Sequence, residues 1–405
     1  MSASSGQGAG IESSKPGDSP IERAPGERDC LPPVFLMIES LETGGSERQF
    51  AALARGLSPD VFRVRLGCVR QRGKFAEGLG EIPEFRLGGS LYGLESWRSR
   101  LRLSRHLRQN HTAVAQAFDF YSNLTLIPAA RLGGVPVVIG SQRQLGDLLT
   151  PAQSAAQAMA FRWCDAVVCN SRAAAERLVQ RGLAEGKIVV IGNGMPPAAF
   201  AETACALPIR PGVQRVGMIA RMNSRAKNHG LFLRAAARLR SEFPDLELVL
   251  AGDGPLRAEL ERETASLGLA GQAHFLGDRR DIPAVLRSLD VSVLPSASES
   301  LSNVILESMA AGVPVVASHV GGNPELITAD RGVLFTPDQE QELADKIGML
   351  LRDGARRTEL GRNARRFAKE NFTVEGMAKQ YEDMYQDLLE RKGRPSGSGR
   401  PRPQG

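Results

Sequence analysis

The sequence predicts an α/β protein of two doubly wound, parallel-sheet domains facing each other across a cleft. Three observations carry this. Short β-branched runs alternate with helix-periodic segments along the chain, the pattern of parallel sheets covered on both faces. A proline-rich stretch at 193–212, with Pro196, Pro197, Pro208 and Pro211, splits that alternation into two series. The run Gly134 to Val138 (GVPVV) returns as Gly312 to Val316, in each case where a helix should turn into a buried strand. The echo is short, and its pattern suits any helix-to-strand turn.

In chain order, residues 1–28 are rich in Ser, Gly and Pro and lack an apolar core, so they read as a disordered leader and not a signal peptide. Strands are expected at 34–38, 61–69, 113–118, 135–140, 166–169 and 187–191, giving a first domain over 29–192. Its first helix, 46–57, has Phe50, Leu53, Ala54 and Leu57 at helical spacing. Residues 193–212 form the linker. A second domain over 213–372 has strands expected at 216–220, 246–251, 273–276, 291–294, 313–317 and 333–335. Val374, Met377, Tyr381, Met384, Tyr385 and Leu388 then form the stripe of a last helix, 373–390. That helix must pack on something, the earlier domain being one option. A basic tail, 391–405, ends the chain.

With 405 residues, each domain can bury its own core. The net charge of +6 first suggests a nucleic-acid binder. However, the tail alone holds Arg391, Lys392, Arg394, Arg400 and Arg402 and no acid, so the body is near neutral and does not look like a polyanion binder. Cys30, Cys68, Cys164, Cys169 and Cys205 show no metal-binding spacing and read as reduced, buried thiols of a cytoplasmic protein. No apolar run approaches the roughly 18 residues that cross a bilayer.

Ligands of open α/β sheets bind beyond the carboxyl ends of the strands, and the chemistry-bearing residues fall there. Leu41 to Glu47 (LETGGSE) follows the first strand. Gly44 and Gly45 would let backbone approach a ligand and leave free amides at a helix start, although a plain tight turn reads the same way. No GxGxxG stands there, which argues against a dinucleotide site. Ala220 to Asn228 (ARMNSRAKN) follows the first strand of the second series. Arg221 and Lys227 there suit phosphate oxygens, with Arg225 ranked lower; solvated loop cations are the competing reading. Gly252 to Pro255 (GDGP) is a tight turn into a helix that Asp253 can cap. Glu299 to Glu307 (ESLSNVILE) places two acids eight positions apart. On a helix these share one face, about two turns apart, and two solvated surface glutamates are the alternative. Val320 to Glu325 (VGGNPE) is another strand-to-helix turn.

Taken together, Arg221 with Lys227, the GDGP turn, the Glu299 and Glu307 pair, Ala311 to Val316 (AGVPVV) and Gly321 to Glu325 (GGNPE) resemble the donor domain of GT-B glycosyltransferases. The likeness is to the large retaining family 4, glycosyl transferases group 1. The first half resembles that family's acceptor domain through Gly44 to Glu47 and the Asn193, Gly194 pair. The resemblance implies a GT-B fold of two Rossmann-like domains and a metal-independent transfer of sugar from a nucleotide-sugar to a hydroxyl acceptor, with retention. No resident cofactor is implied. Arg221 and Lys227 would hold the donor diphosphate, Glu307 the ribose hydroxyls and Glu299 the transferred sugar. Backbone amides of Ser302, Asn303 and Val304 would meet phosphate or sugar. Gly44 and Gly45 would close over the diphosphate, and the Gly252, Asp253, Gly254 turn would join the donor site. No Asp-x-Asp motif is present, which disfavours metal-dependent GT-A chemistry. One departure matters: many relatives carry a histidine where this chain has Phe118, leaving Asp119 or Arg143 as acceptor-side candidates. A same-fold epimerase and a non-catalytic sugar-nucleotide binder are the alternatives, the intact set of cations and acids arguing against the second.

The segment Trp97 to Arg108 (WRSRLRLSRHLR) is the dense basic stretch of the body. Arg98, Arg100, Arg102, Arg105 and Arg108 stand beside Trp97, Leu101 and Leu107, which could suit an anionic membrane surface, although an ordinary covering helix with an arginine-rich solvent face is the favoured reading. Polysaccharide or lipid-linked saccharide assembly is the context the resemblance implies. The base, sugar, acceptor and oligomeric state stay open.

Overall fold

A computed structural model describes residues 31–393, apart from residues 43, 92 and 148 and the Lys74 side chain. The expected leader and most of the basic tail lie outside the described residues. Two six-stranded sheets form, with every pairing between named strands parallel. The first contains β1 (Pro33–Ile38), β2 (Arg63–Cys68), β3 (Val114–Ala117), β4 (Val137–Gln142), β5 (Ala166–Cys169) and β6 (Ile188–Val190), in the order β2-β1-β3-β4-β5-β6. The second contains β7 (Gln214–Ile219), β8 (Leu246–Ala251), β9 (Ala273–Gly277), β10 (Val291–Leu294), β11 (Val315–Ser318) and β12 (Gly332–Phe335), in the order β12-β11-β10-β7-β8-β9.

The central strands are mostly apolar, without regular alternation, because helices cover both faces. All six residues of β1 and all six of β8 are buried. The strand order reverses between β1 and β3 in the first sheet and between β7 and β10 in the second. Crevices open at such switch points, beyond the carboxyl ends. The repeated GVPVV run has one local structure in both places. Gly134 (φ 74°) and Gly312 (φ 77°) end the helices Phe120–Gly133 and Asn303–Ala311 in the left-handed conformation that favours glycine, and a strand follows.

The proline-rich stretch is less free than a linker. Pro197–Phe200 is a short 3-10 turn, and Ala199 is buried in the second domain's core. Met195 is buried beside the returning chain, its amide donating to the Phe372 carbonyl (2.7 Å) and its carbonyl accepting from the Val374 amide (3.1 Å). The last helix, Val374–Gly393, then buries Met377, Tyr381, Met384, Tyr385 and Leu388 in the first domain's core, against Phe50 and Phe62. Tyr385 donates its hydroxyl to Gln116, and the Ser58 amide donates to Glu382 (2.6 Å). Two side-by-side crossings therefore join the domains.

Candidate active site

The loops that meet across the cleft all follow carboxyl ends of strands, so the two switch points face each other. The helix Gly45–Gly56 follows β1, Arg143 follows β4, and Asn170 to Ala173 follow β5. Opposite them, Arg221 to Lys227 follow β7, Glu299 to Glu307 follow β10, and Gly321 to Glu325 follow β11.

Asn303 opens the helix Asn303–Ala311 and ties the halves together. Its Nδ2 donates to the Gly45 carbonyl (3.2 Å), while its Oδ1 accepts from Gln49 (3.3 Å) and Asn193 (2.7 Å). Gln49, fully buried, also donates to the Gly194 carbonyl (3.1 Å) and accepts from the Gly194 amide (2.8 Å). On the other flank, Ser171 and Ser300 hydroxyls lie 3.0 Å apart. The Glu325 carboxylate accepts from the Arg172 and Ala173 amides (2.9 Å each), capping the first domain's helix Arg172–Gln180 from the second domain.

Lys227 sits in a 3-10 turn, Arg225–Lys227, which is bound to the β10 loop by the Ala297 amide donating to the Ala226 carbonyl (2.8 Å). The Lys227 Nζ consequently reaches Glu299 Oε1 at 2.6 Å. Arg221 stands exposed in the loop after β7, close enough to Glu47 in the other domain to lower that acid's pKa, which burial raises. The turn beneath it needs its glycine: Gly252 has φ 132°, and a Cβ there would overlap the Ala220 carbonyl oxygen. Backbone bonds from the Met222 amide to the Asp253 carbonyl and from Leu256 to Met222 (2.9 Å each) lock this turn to the Arg221 loop. The Asp253 carboxylate is engaged locally, with the Gly254 amide (2.8 Å) and Arg257 (3.2 Å). Gly252, Asp253 and Gly254 thus shape the loop that presents Arg221.

Glu307 lies in the helix Asn303–Ala311, with its carboxylate paired to Arg48 of the opposite domain. Ser302 caps that helix, its hydroxyl accepting from the Ile305 amide (3.4 Å). The first amides of a helix have no partner within it, so those of Asn303 and Val304 give a partly positive end directed into the cleft. Gly45 lies against the Asn303 amide group, and Gly44 lies against the Glu47 carboxylate.

The two acceptor-side candidates fare differently. Asp119 is the cap of the helix Phe120–Gly133; its oxygens accept from the Ser122 amide (2.9 Å) and the Glu39 amide (2.6 Å). Burial raises its pKa, against those bonds, and its carboxylate is committed to backbone. Arg143 is buried over the Phe118 ring (4.7 Å to its centre), donates to Asn193 and lies by the Tyr381 hydroxyl, while its Nη1 makes no well-formed hydrogen bond among the described residues. Glu39, at the end of β1, is pushed up to about 7, first by burial and then by the Asp119 charge.

Sequence reasoning missed Arg48 and Gln49. Gln49 stands four residues before Leu53 and so shares the helix's buried face, a legible signal. Arg48 follows the glycine pair, but nothing local marks its partner.

The slot thus gathers two cations, a helix N-terminus and two acids, a set suited to a phosphorylated, hydroxyl-bearing ligand. Residues 213–353 match the family model described as Glycosyl transferases group 1, and residues 43–199 match Glycosyltransferase Family 4. The chain belongs to the family 4, group 1 glycosyltransferases. It is an enzyme of that class. EpsF of Bacillus subtilis (strain 168), a protein assigned as a glycosyltransferase, is 26% identical over 375 residues, which cover 85% of this chain and 92% of EpsF. The lipopolysaccharide core biosynthesis mannosyltransferase LpsB of Rhizobium meliloti is 31% identical over 202 residues, covering 48% of this chain and 57% of LpsB. Among solved structures, Anabaena HepE in complex with UDP superposes with a TM-score of 0.77 at 22% identity, over 87% of this chain and 99% of HepE. The fold is GT-B.

Proposed function

We propose that this glycosyltransferase moves a sugar from a nucleoside-diphosphate sugar to a hydroxyl acceptor, with retention and without a metal, in polysaccharide or lipid-linked saccharide assembly. The observation that carries this is the convergence of Arg221, Lys227, the Asn303 helix start, Glu299 and Glu307 at the β7/β10 switch point. Incoming phosphate oxygens replace Glu299 as the partner of Lys227. Glu299 is then free to accept from hydroxyls of the transferred sugar. Glu307, held on one oxygen by Arg48, offers the other to ribose hydroxyls. As the bond from C1 to the phosphate oxygen breaks, charge grows on the diphosphate, where Arg221, Lys227 and the helix-end amides meet it. The acceptor oxygen bonds to C1 from the same face, and its proton passes to the departing phosphate oxygen.

A thermal-shift panel of nucleoside diphosphates and their sugars tests this reading, because a ligand raises apparent stability by mass action. UDP comes first, since HepE was solved with it. At least one nucleotide-sugar should bind and turn over, with a rate unchanged by EDTA. No binding and no turnover across UDP-, GDP- and ADP-sugars would overturn the proposal. Arg48→Ala should lower transfer about tenfold by loosening the cross-cleft closure, a misplacement effect. It should also leave nucleoside diphosphate affinity nearly intact, which calorimetry reads.

The enzyme's surface supports a peripheral contact with the inner face of the plasma membrane. Leu94, Trp97 and Leu101 are 77%, 57% and 41% exposed, at helical spacing on the helix Leu94–Gln109, with Arg98 and Arg105 exposed beside them. Arg100 is not part of that face: it is buried and donates to the carbonyls of Leu124 (3.1 Å) and Leu91 (2.9 Å). Among the described residues no helix is long and apolar enough to cross a membrane. Trp97→Ala combined with Arg98→Glu and Arg105→Glu should abolish flotation with phosphatidylglycerol vesicles; unchanged flotation removes the contact.

A further inference from the structure

The first domain has a switch point of its own, between β1 and β3, and a cavity of about 590 Å³ opens there. Its walls come from strand ends: Glu39 after β1, Arg70 and Arg72 after β2, and Tyr121 after β3. The opposite wall is the loop carrying Arg86 and Leu91. Arg86 is paired with Glu84 (2.8 Å). Arg70 and Arg72 are exposed, and neither guanidinium makes a hydrogen bond or ion pair among the described residues, although Arg70 lies in the field of Glu39.

Two free surface arginines are ordinarily just solvated. These differ in the backbone that carries them. The Arg70 amide donates to the Glu39 carbonyl and the Leu41 amide to the Arg72 carbonyl (2.8 Å each), while the Gln71 amide donates to Glu84 (3.0 Å). The turn is therefore pinned on both sides, and two arginines without a partner among the described residues branch from fixed backbone at the cavity wall. Guanidinium groups suit phosphate and carboxylate oxygens. On the same wall Glu39, partly protonated near neutral pH, can share a hydrogen bond with a sugar hydroxyl. Its amide donates to Asp119 (2.6 Å), and Asp119 lines a smaller pocket with Ser46 and Arg143, at the start of the helix Gly45–Gly56 that faces the second domain. The cavity's inner end thus adjoins the proposed donor slot.

We infer that this cavity is the acceptor subsite and that Arg70 and Arg72 select an acceptor bearing a phosphate or carboxylate; the inference rests on the transferase reading above. The acceptor is held by its anionic group at the outer end, with its hydroxyl directed toward the cleft.

The test uses the full chain saturated with whichever nucleoside diphosphate binds best, so that phosphate probes cannot enter the donor site. Glucose 1-phosphate, glucuronate and glucose are then titrated by calorimetry. At least one anionic probe should bind about tenfold or more tightly than glucose, and added salt should weaken it. Arg70→Gln with Arg72→Gln should erase that preference while nucleoside diphosphate affinity and melting temperature hold. Polyprenyl phosphate in neutral phosphatidylcholine vesicles separates a lipid-borne phosphate from a soluble one. Capture of those vesicles in preference to glucose 1-phosphate, lost in the double variant, assigns the lipid source, and the reverse order assigns the soluble one. Equal binding of glucose and every anionic probe, or a double variant that binds them as wild type does, overturns the inference. Failure of every nucleoside diphosphate to bind would instead count against the transferase reading itself.

Discussion

Lys227→Ala should lower sugar transfer by about 10²–10³-fold, the scale on which removal of one preorganised charge-stabilising donor acts. Two features make the effect large. The Lys227 Nζ is held at 2.6 Å from Glu299, so its position is fixed before any phosphate arrives. The turn that carries it is bonded to the β10 loop through Ala226 and Ala297, which fixes the lysine's backbone against the loop that bears Glu299. Truncation also leaves the Glu299 carboxylate, 11% exposed, without its cation, which repels the diphosphate. Nucleoside diphosphate affinity should fall as well, and the melting temperature should change little. Steady-state kinetics and calorimetry on one preparation check this; a variant with wild-type kcat would show that leaving-group charge is met elsewhere.

Gly321→Ala should reduce transfer by a comparable factor, through position and not charge. Gly321 has φ 49°, a left-handed conformation that costs other residues about 1–2 kcal/mol. A Cβ there would overlap the Glu299 carbonyl oxygen, and Leu145 of the opposite domain stands 3.0 Å away. The Glu299 loop must retreat, taking with it the acid, the Lys227 pair and the Ser300 contact with Ser171. A displacement of about 1 Å at a reacting centre can cost about 10²-fold. Gly186→Ala is the control: nothing lies within 4 Å of its Cβ position, and stability should stay within about 0.5 kcal/mol. Kinetics with a melting curve for each variant decides; full activity in Gly321→Ala would mean that the loop has room to yield.

The strands were legible because parallel strands buried on both faces leave unbroken apolar runs, and all twelve expected strands are present. Their ends were less legible. The strand expected at 61–69 is β2, Arg63–Cys68, and the one expected at 187–191 shrinks to Ile188–Val190 after a 3-10 turn, because loop hydrogen bonds compete with pairing at an edge. Placement after strands also found Arg221, Lys227, Glu299 and Glu307, since the α/β topology sends those loops to one side. Relations between the domains were not legible. Nothing near Arg48 or Glu307 announces that they pair, and nothing near Glu325 announces that it caps a helix of the other domain. Periodicity likewise could not tell that Arg100 turns inward, because a long side chain can bury its stem and satisfy its head on carbonyls. Asp119 fits a helix cap as well as it fits an acceptor contact, and the capping bonds are what the fold makes of it.

The central claim is a division of labour, with the nucleoside at Glu307 and the transferred sugar at Glu299. Calorimetry of nucleoside diphosphate binding to wild type, Glu307→Ala and Glu299→Ala tests it most directly. Glu307→Ala should weaken binding about tenfold or more. Glu299→Ala should bind at least as tightly as wild type, since the acid that competes with phosphate for Lys227 is gone, and yet transfer should fall. Equal losses of affinity in the two variants would contradict the account.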